Sequence, residues 1–256
     1  MSVEALQVVF YLSTVIFWSL AYIGMIWKGA KDKTFGMPFI PLCANFAWEF
    51  YFGVLQFRID YSLWFALDAT IFAQLVIYGR KEFTSHPFIY KWFYWLIGIT
   101  LFFSMYGLYA IQQCLGLDHA RYMVGVALDI PIAIAMNFML LARGSNLRGQ
   151  HIIIAVCKLL GDLSAFLVRW VDSEWNQDSD TAFFTWMAVL SLVFGLLYVV
   201  LIASVQFGGV NLWERVNVEC SGLMSAPIDK RPDEYDPRAL VPATLSDSGS
   251  TSLENC

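Results

Sequence analysis

Charge is scarce in this chain. Only 14% of its 256 residues are Asp, Glu, Lys or Arg, against 58% that are apolar or aromatic. A soluble domain is typically about a quarter charged. Of the 37 charges here, twelve fall in the last 51 residues, so too few remain to clothe a water-soluble globule of that length. The apolar content excludes a disordered chain, and a net charge of −5 excludes a basic nucleic-acid binder. Cysteine is sparse as well, at five, with Cys43 and Cys157 inside apolar runs, so no disulfide framework is indicated. The three histidines, His86, His119 and His151, lie at the ends of apolar runs and are too scattered for a metal site. No DDxxD cluster offers carboxylates to a magnesium diphosphate. The nearest match to DxDD, Asp178-Ser179-Asp180, sits in a loop and lacks the remaining acid. GxSxG, P-loop and glycine-rich dinucleotide motifs are missing. The last apolar run holds no lysine, which excludes a rhodopsin-like retinal Schiff base there.

What is present is apolar length. A helix needs about 20 mostly apolar residues to cross hydrocarbon, and seven segments qualify: 4–27, 36–57, 61–79, 91–113, 121–142, 150–171 and 182–205. The expectation is an all-α polytopic membrane protein, a seven-transmembrane-helix bundle over 1–205. A flexible polar tail follows over 206–256, with Leu212 and Trp213 holding its start at the interface. The first run begins without a basic stretch or cleavage site and reads as a retained span. Lys28, Lys31, Lys33, Arg80, Lys81, Lys91, Arg143 and Arg148 flank the 1–2, 3–4 and 5–6 loops, whereas the other loops carry only Arg58, Arg121 and Arg169. The positive-inside rule then places the N-terminus lumenal or outside and the C-terminus in the cytosol. The acidic 6–7 loop, with Asp172, Glu174, Asp178 and Asp180, fits the far side.

Five ionisable residues interrupt the spans: Glu49, Asp68, Asp129, Lys158 and Asp162. Each costs about 2.5–3.5 kcal/mol near a helix centre, so each calls for a structural or functional use. Counting along the helices puts all four acids roughly 10–14 Å below the outer boundary, which suggests a polar pocket open to that side. Lys158 precedes Asp162 by one turn and can pair with it, and Arg169 continues the same stripe. Asn45 stands one turn before Glu49, and Gly53, one turn after, leaves room beside the carboxyl group. Bland uses compete with the functional one: an ion pair at 158–162 that fixes helix packing, and interhelical hydrogen bonds for Asp68 and Asp129. Aromatic residues make up 17% of the chain, among them Phe46, Trp48 and Trp64 in mid-span. Most are lipid-facing bulk, but a subset facing the acids would shape a cavity for a bulky apolar ligand and stabilise cationic character. A carboxylic acid among aromatic faces is suited to protonate an alkene or epoxide. It suits proton-coupled transport equally well, so a small seven-helix carrier of a hydrophobic metabolite is the alternative.

The stretch Asn45-Phe46-Ala47-Trp48-Glu49-Phe50 resembles the N-x-A-W-E signature of the small membrane-bound terpene cyclases of fungal meroterpenoid and indole-diterpene pathways, the paxilline and pyripyropene type. Leu63-Trp64-Phe65-Ala66-Leu67-Asp68 is similar to that family's aromatic-rich stretch in helix 3, and the Arg143-to-Gln150 segment to its 5–6 loop. The resemblance implies protonation of an epoxide or alkene on a prenylated core and ring closure by a cation cascade, in secondary-metabolite biosynthesis. It implies no metal or organic cofactor. Glu49 is then the general acid, with Asp68, Asp129 or Asp162 as its acidic partners and Asn45, Phe46, Trp48 and Trp64 against the substrate. The partners implied are a hydrophobic prenylated small molecule, the lipid bilayer and neighbouring pathway enzymes such as a prenyltransferase and an epoxidase. The location implied is the endoplasmic reticulum. Two positions depart from the family's pattern. Phe194-Gly195-Leu196 stands where a second acid is expected in the last helix, and Gly161-Asp162 stands where helix 6 is expected to read Gly-Thr.

Overall fold

Local signals in the sequence set each helix boundary. In the computed structural model, which describes residues 2–144, 146–171 and 181–209, Ser2 caps the first helix by accepting the Ala5 N–H at 3.3 Å. That helix, α1 (Val3–Asp32), ends where Lys33 turns left-handed at φ 52° and the N–H groups of Lys33 and Thr34 return to the carbonyls of Ala30 and Gly29. Pro38 precedes α2 (Phe39–Glu49), which widens directly after Glu49 into a π-helical turn, Phe50–Leu55. Next comes α3 (Ile59–Gln74), continued by a second π turn, Leu75–Gly79, and a short helical turn, Arg80–Glu82. Pro87 opens α4 (Pro87–Leu115), where its missing N–H costs nothing. Gly116, at φ 78°, then redirects the chain into α5 (Leu117–Ala142), which contains Pro131. The last two are α6 (Ile152–Val171) and α7 (Thr181–Gly208). All regular structure among the described residues is helical.

Five stretches are long and apolar enough to cross a membrane: Val3–Asp32, Tyr61–Glu82, Pro87–Leu115, Leu117–Ala142 and Ala182–Gly208. The other two runs differ for physical reasons. Phe39–Leu55 is apolar but short, and α6 carries Lys158, Asp162 and Arg169 within its twenty residues. Helix α1 runs past residue 27 because Lys28 and Asp32, one turn apart, pair at 2.7 Å in its last turns. Residues 172–180, with the acidic loop residues, and 210–256, with Leu212 and Trp213, lie outside the described residues.

The packing order is not the chain order. Helix α1 lies between α3 and α6, α3 meets α2, α2 meets α5, α5 meets α7, and α7 returns to α6. Six helices thus close a ring, and α4 sits outside it against α2 and α5. Outward-facing apolar side chains such as Leu12, Ile16, Phe102, Phe103 and Val193 are more than half exposed, the surface a lipid environment requires. At one end a polar clasp ties three loops together. Glu82 meets Arg148 at 2.9 Å, Arg143 at 3.7 Å and the Thr34 hydroxyl at 2.9 Å. Asp32 accepts the Gly149 N–H at 2.8 Å. Burial holds the Arg143 guanidinium below the usual arginine range against the opposing pull of Glu82.

Candidate active site

At the end opposite the clasp, the ring encloses a cavity of about 950 Å³, its open mouth included. All six ring helices contribute to its wall and α4 contributes nothing. Helical spacing explains which residues face it. Tyr11, Thr14, Trp18 and Tyr22 recur every three or four positions along α1, and Arg121, Gly125 and Asp129 every four along α5. Two tryptophans are seated on glycines. A Cβ on Gly125 would stand 3.1 Å from Cζ2 of Trp48, and one on Gly161 2.7 Å from Cδ1 of Trp18. The indole N–H groups are also satisfied, Trp48 donating to the Arg121 carbonyl at 3.3 Å and Trp64 to the Ser19 hydroxyl at 3.2 Å.

Glu49 lies in the cavity wall, 1% exposed. Its Oε1 accepts two hydrogen bonds, from the Tyr22 hydroxyl at 2.6 Å and from Asn45 Nδ2 at 3.0 Å. The same Asn45 amide reaches the Tyr22 oxygen at 2.7 Å and Asp68 Oδ2 at 3.3 Å. One amide therefore gathers residues from α1, α2 and α3. Glu49 Oε2 and Asp68 Oδ1 are buried without a hydrogen-bond partner. Asp68 is fully buried and lies behind Asn45, outside the cavity wall. The π turn begins at the residue after Glu49, and such widenings of a helix recur at functional sites.

The four acids fall into two groups. Glu49 and Asp68 share Asn45. Asp129 lines the cavity, half-buried, with Asp162 and Lys158 as its charged neighbours. Asp162 is outside the wall. Its Oδ2 meets Lys158 Nζ at 2.6 Å and accepts the Ser191 hydroxyl at 3.3 Å, while Oδ1 has no partner. Lys158 in turn lies 5.1 Å from the centroid of Trp18, and Trp18 lies 5.5 Å from Tyr22, so aromatic rings connect the two groups. A Cβ on Gly195 would stand 3.9 Å from Asp162 Oδ2. The α6 acid thus occupies the space beside the α7 position where an acid was expected.

Two expectations need correction. Phe46 does not face the cavity; it packs against Phe65 and Phe72, with ring centroids 5.0 and 4.6 Å away. It stands about 100° round α2 from Asn45 and about 60° from Glu49, far enough to turn its ring toward α3. Gly53 does not make room beside Glu49 either. A Cβ there would meet the Tyr61 backbone at 2.7 Å, so it lets the π turn close on the start of α3. Trp48 and Trp64 do line the cavity. Tyr22 went unflagged in the sequence, where it is one of twelve tyrosines. The available signal was its place on the stripe with Thr14 and Trp18, in mid-helix, where a phenol needs a partner.

A family model described as Pyr4-like transmembrane terpene cyclases matches residues 1–207. Among curated proteins, the chain is 28% identical to terpene cyclase dpmaB of Metarhizium anisopliae, over 64% of this chain and 70% of that protein. It is 24% identical to terpene cyclase pyr4 of Aspergillus fumigatus, over 71% and 79% of the two chains. It is 25% identical to terpene cyclase janB of Penicillium janthinellum, over 87% and 91%. No solved structure matches.

Proposed function

The chain belongs to the Pyr4-like transmembrane terpene cyclases, and on that premise we propose that it closes rings on an epoxidised or alkene-bearing prenylated substrate by protonating it from Glu49. The observation that carries this reading is the asymmetry of the Glu49 carboxyl group. Oε1 takes both donors, from Tyr22 and Asn45, which leaves Oε2 as the oxygen that carries the acid proton. Transfer of that proton to an epoxide oxygen breaks a C–O bond and leaves positive charge on the more substituted carbon. A neighbouring alkene then attacks that carbon, and each new C–C bond passes the charge along the chain. The faces of Trp18, Trp48 and Trp64 in the wall stabilise the travelling cation, by about 0.5–2 kcal/mol per contact. Tyr22 and Asn45 hold the Glu49 carboxylate that results, and Asp68 fixes Asn45 from behind. Two carboxyl groups on one amide do not both ionise cheaply, so the Glu49–Asp68 pair retains a proton.

Asp129 is the base proposed for the last step. It faces the cavity, and the Lys158–Asp162 pair beside it sets its local charge. Proton loss to Asp129 ends the cascade, and the product is an isomer of the substrate. The proposal needs no metal or organic cofactor. A proton-linked carrier of a hydrophobic metabolite finds no support in relatives that bear cyclase names.

The same proposal includes seven membrane-spanning helices, with α2 and α6 crossing as ring members whose polar residues turn inward. The N-terminus is lumenal, the tail cytosolic and the membrane that of the endoplasmic reticulum. Substrate supply there falls to a prenyltransferase and an epoxidase of a meroterpenoid or indole-diterpene pathway. The test is to feed an epoxyprenylated aromatic substrate to microsomes containing the protein. A product of unchanged mass and shifted retention is expected. Uptake of unaltered substrate into sealed vesicles, without any isomer, would overturn the reading in favour of a carrier.

A further inference from the structure

The cavity has a second charged feature that the acid chemistry does not use. Arg121 and Arg169 line it, from the first turns of α5 and the last turn of α6. Arg121 lies two turns of α5 before Asp129, which separates the two by about 12 Å along the axis. Both guanidinium groups face the ring of Tyr122, at 5.1 and 6.0 Å from its centroid, and Arg169 also stands 5.2 Å from that of Phe184. The Arg121 side chain is only 11% exposed, yet its ion-pair partner Asp118, at 3.0 Å, is 78% exposed. An ion pair with so hydrated a partner contributes little. Arg121 Nε is buried with no hydrogen-bond partner. A buried guanidinium N–H without an acceptor is costly unless an anion visits the site.

We infer that Arg121 and Arg169 receive an oxyanion on the head of the substrate, a carboxylate or the conjugate base of an acidic enol. This rests on the cyclase reading and narrows its substrate class. The guanidinium fork matches a planar, delocalised oxyanion in two-point contact. The prenyl chain then runs inward from the head past Trp48, whose indole is tied to the Arg121 carbonyl, and its reactive end meets Glu49. Head and tail are sorted by charge: the anion stays with the arginines and away from the carboxylates, so the substrate enters in one orientation.

The test uses two ligands that differ only in charge, a prenylated aromatic carboxylic acid and its methyl ester. Each is titrated at about neutral pH, where the acid is ionised, against the full chain in phosphatidylcholine nanodiscs, and followed by tryptophan quenching. The wild type is expected to bind the acid at least about tenfold more tightly than the ester. Arg121→Gln and Arg169→Gln should each bring that ratio toward one with ester affinity unchanged, while Arg121→Lys retains part of the preference. Equal binding of acid and ester by the wild type overturns the assignment, as does an acid preference that survives both glutamine variants. Equal loss of acid and ester binding in the variants also overturns it, since that marks a structural role. Adding phosphatidate to the nanodiscs separates a lipid phosphate from the substrate as the source of the anion. Saturable displacement of the acid by phosphatidate assigns the arginines to lipid and overturns the proposal; an unchanged acid affinity supports it. The two readings fail separately: acid selectivity in this binding assay, with no isomer formed from the epoxyprenylated substrate in microsomes, refutes the cyclase reading and leaves the anion site standing. Cyclisation of acid and ester with equal affinity would do the reverse.

Discussion

At the residue scale the site turns on one tyrosine. Tyr22 donates to Glu49 Oε1 at 2.6 Å and receives Asn45 at 2.7 Å, so in the proposed reaction its hydroxyl both orients the acid and steadies the anion left after proton transfer. A hydrogen bond to a charged group is worth about 1.5–3 kcal/mol, and this one strengthens as Glu49 gains charge. Tyr22→Phe is therefore expected to lower kcat by roughly 10- to 100-fold, with KM changed less than about twofold. Steady-state kinetics check this, and an effect confined to KM would mean that Tyr22 only shapes the cavity. The contrast with Asn45 shows what a sequence reveals about such a site. Asn45–Glu49 and Lys158–Asp162 are legible because residues one turn apart must be neighbours. The contacts of Tyr22 with Glu49, of Asn45 with Asp68 and of Asp162 with the Gly195 position cross between helices. No spacing rule connects them.

At the element scale, two glycines decide where the tryptophans stand. A methyl group at 161 would lie 2.7 Å from Trp18 Cδ1 and 3.1 Å from its Nε1, so the indole must move. At 125 the contact is 3.1 Å to a ring edge, and a shift of a few tenths of an ångström relieves it. Alanine gains up to about 1 kcal/mol of helix propensity over glycine, whereas overpacking costs about 1–3 kcal/mol. Gly161→Ala is accordingly expected to destabilise by roughly 1–2 kcal/mol, and Gly125→Ala to leave stability nearly unchanged. Thermal unfolding in detergent, with the emission of Trp18 as a second readout, checks the order; Gly125→Ala proving the more harmful would contradict these seats. The helices themselves were largely legible from apolar length, but their ends were not: α4 runs Pro87–Leu115 where apolar length gives 91–113, because Pro87 opens it and Gly116 ends it. The π turn after Glu49 was not, because its cause is the tertiary approach of Gly53 to Tyr61.

At the scale of the whole molecule, the ring explains how a chain so poor in charge keeps several ionisable groups inside. Helices α1, α2, α5 and α6 turn polar side chains inward, so Glu49, Asp129, Arg121 and Arg169 share a cavity while the outer surface stays apolar. The order α1-α3-α2-α5-α7-α6 could not be read from the sequence. Apolar periodicity says which face is inward and nothing about which helix it meets. Side-chain contacts sort Glu49 and Asp68, which share Asn45, from Asp129 and Asp162, which stand with Lys158, and the two groups have different proposed tasks. Scaffold and chemistry are accordingly separable. The polar clasp at Glu82 and the ring contacts hold the fold, and the proposed reaction starts from the Glu49 proton. The most direct measurement replaces that proton alone. Glu49→Gln in microsomes, assayed with the epoxyprenylated substrate, should insert at the wild-type level and form no cyclised isomer; product formation at the wild-type rate by that variant would contradict the account.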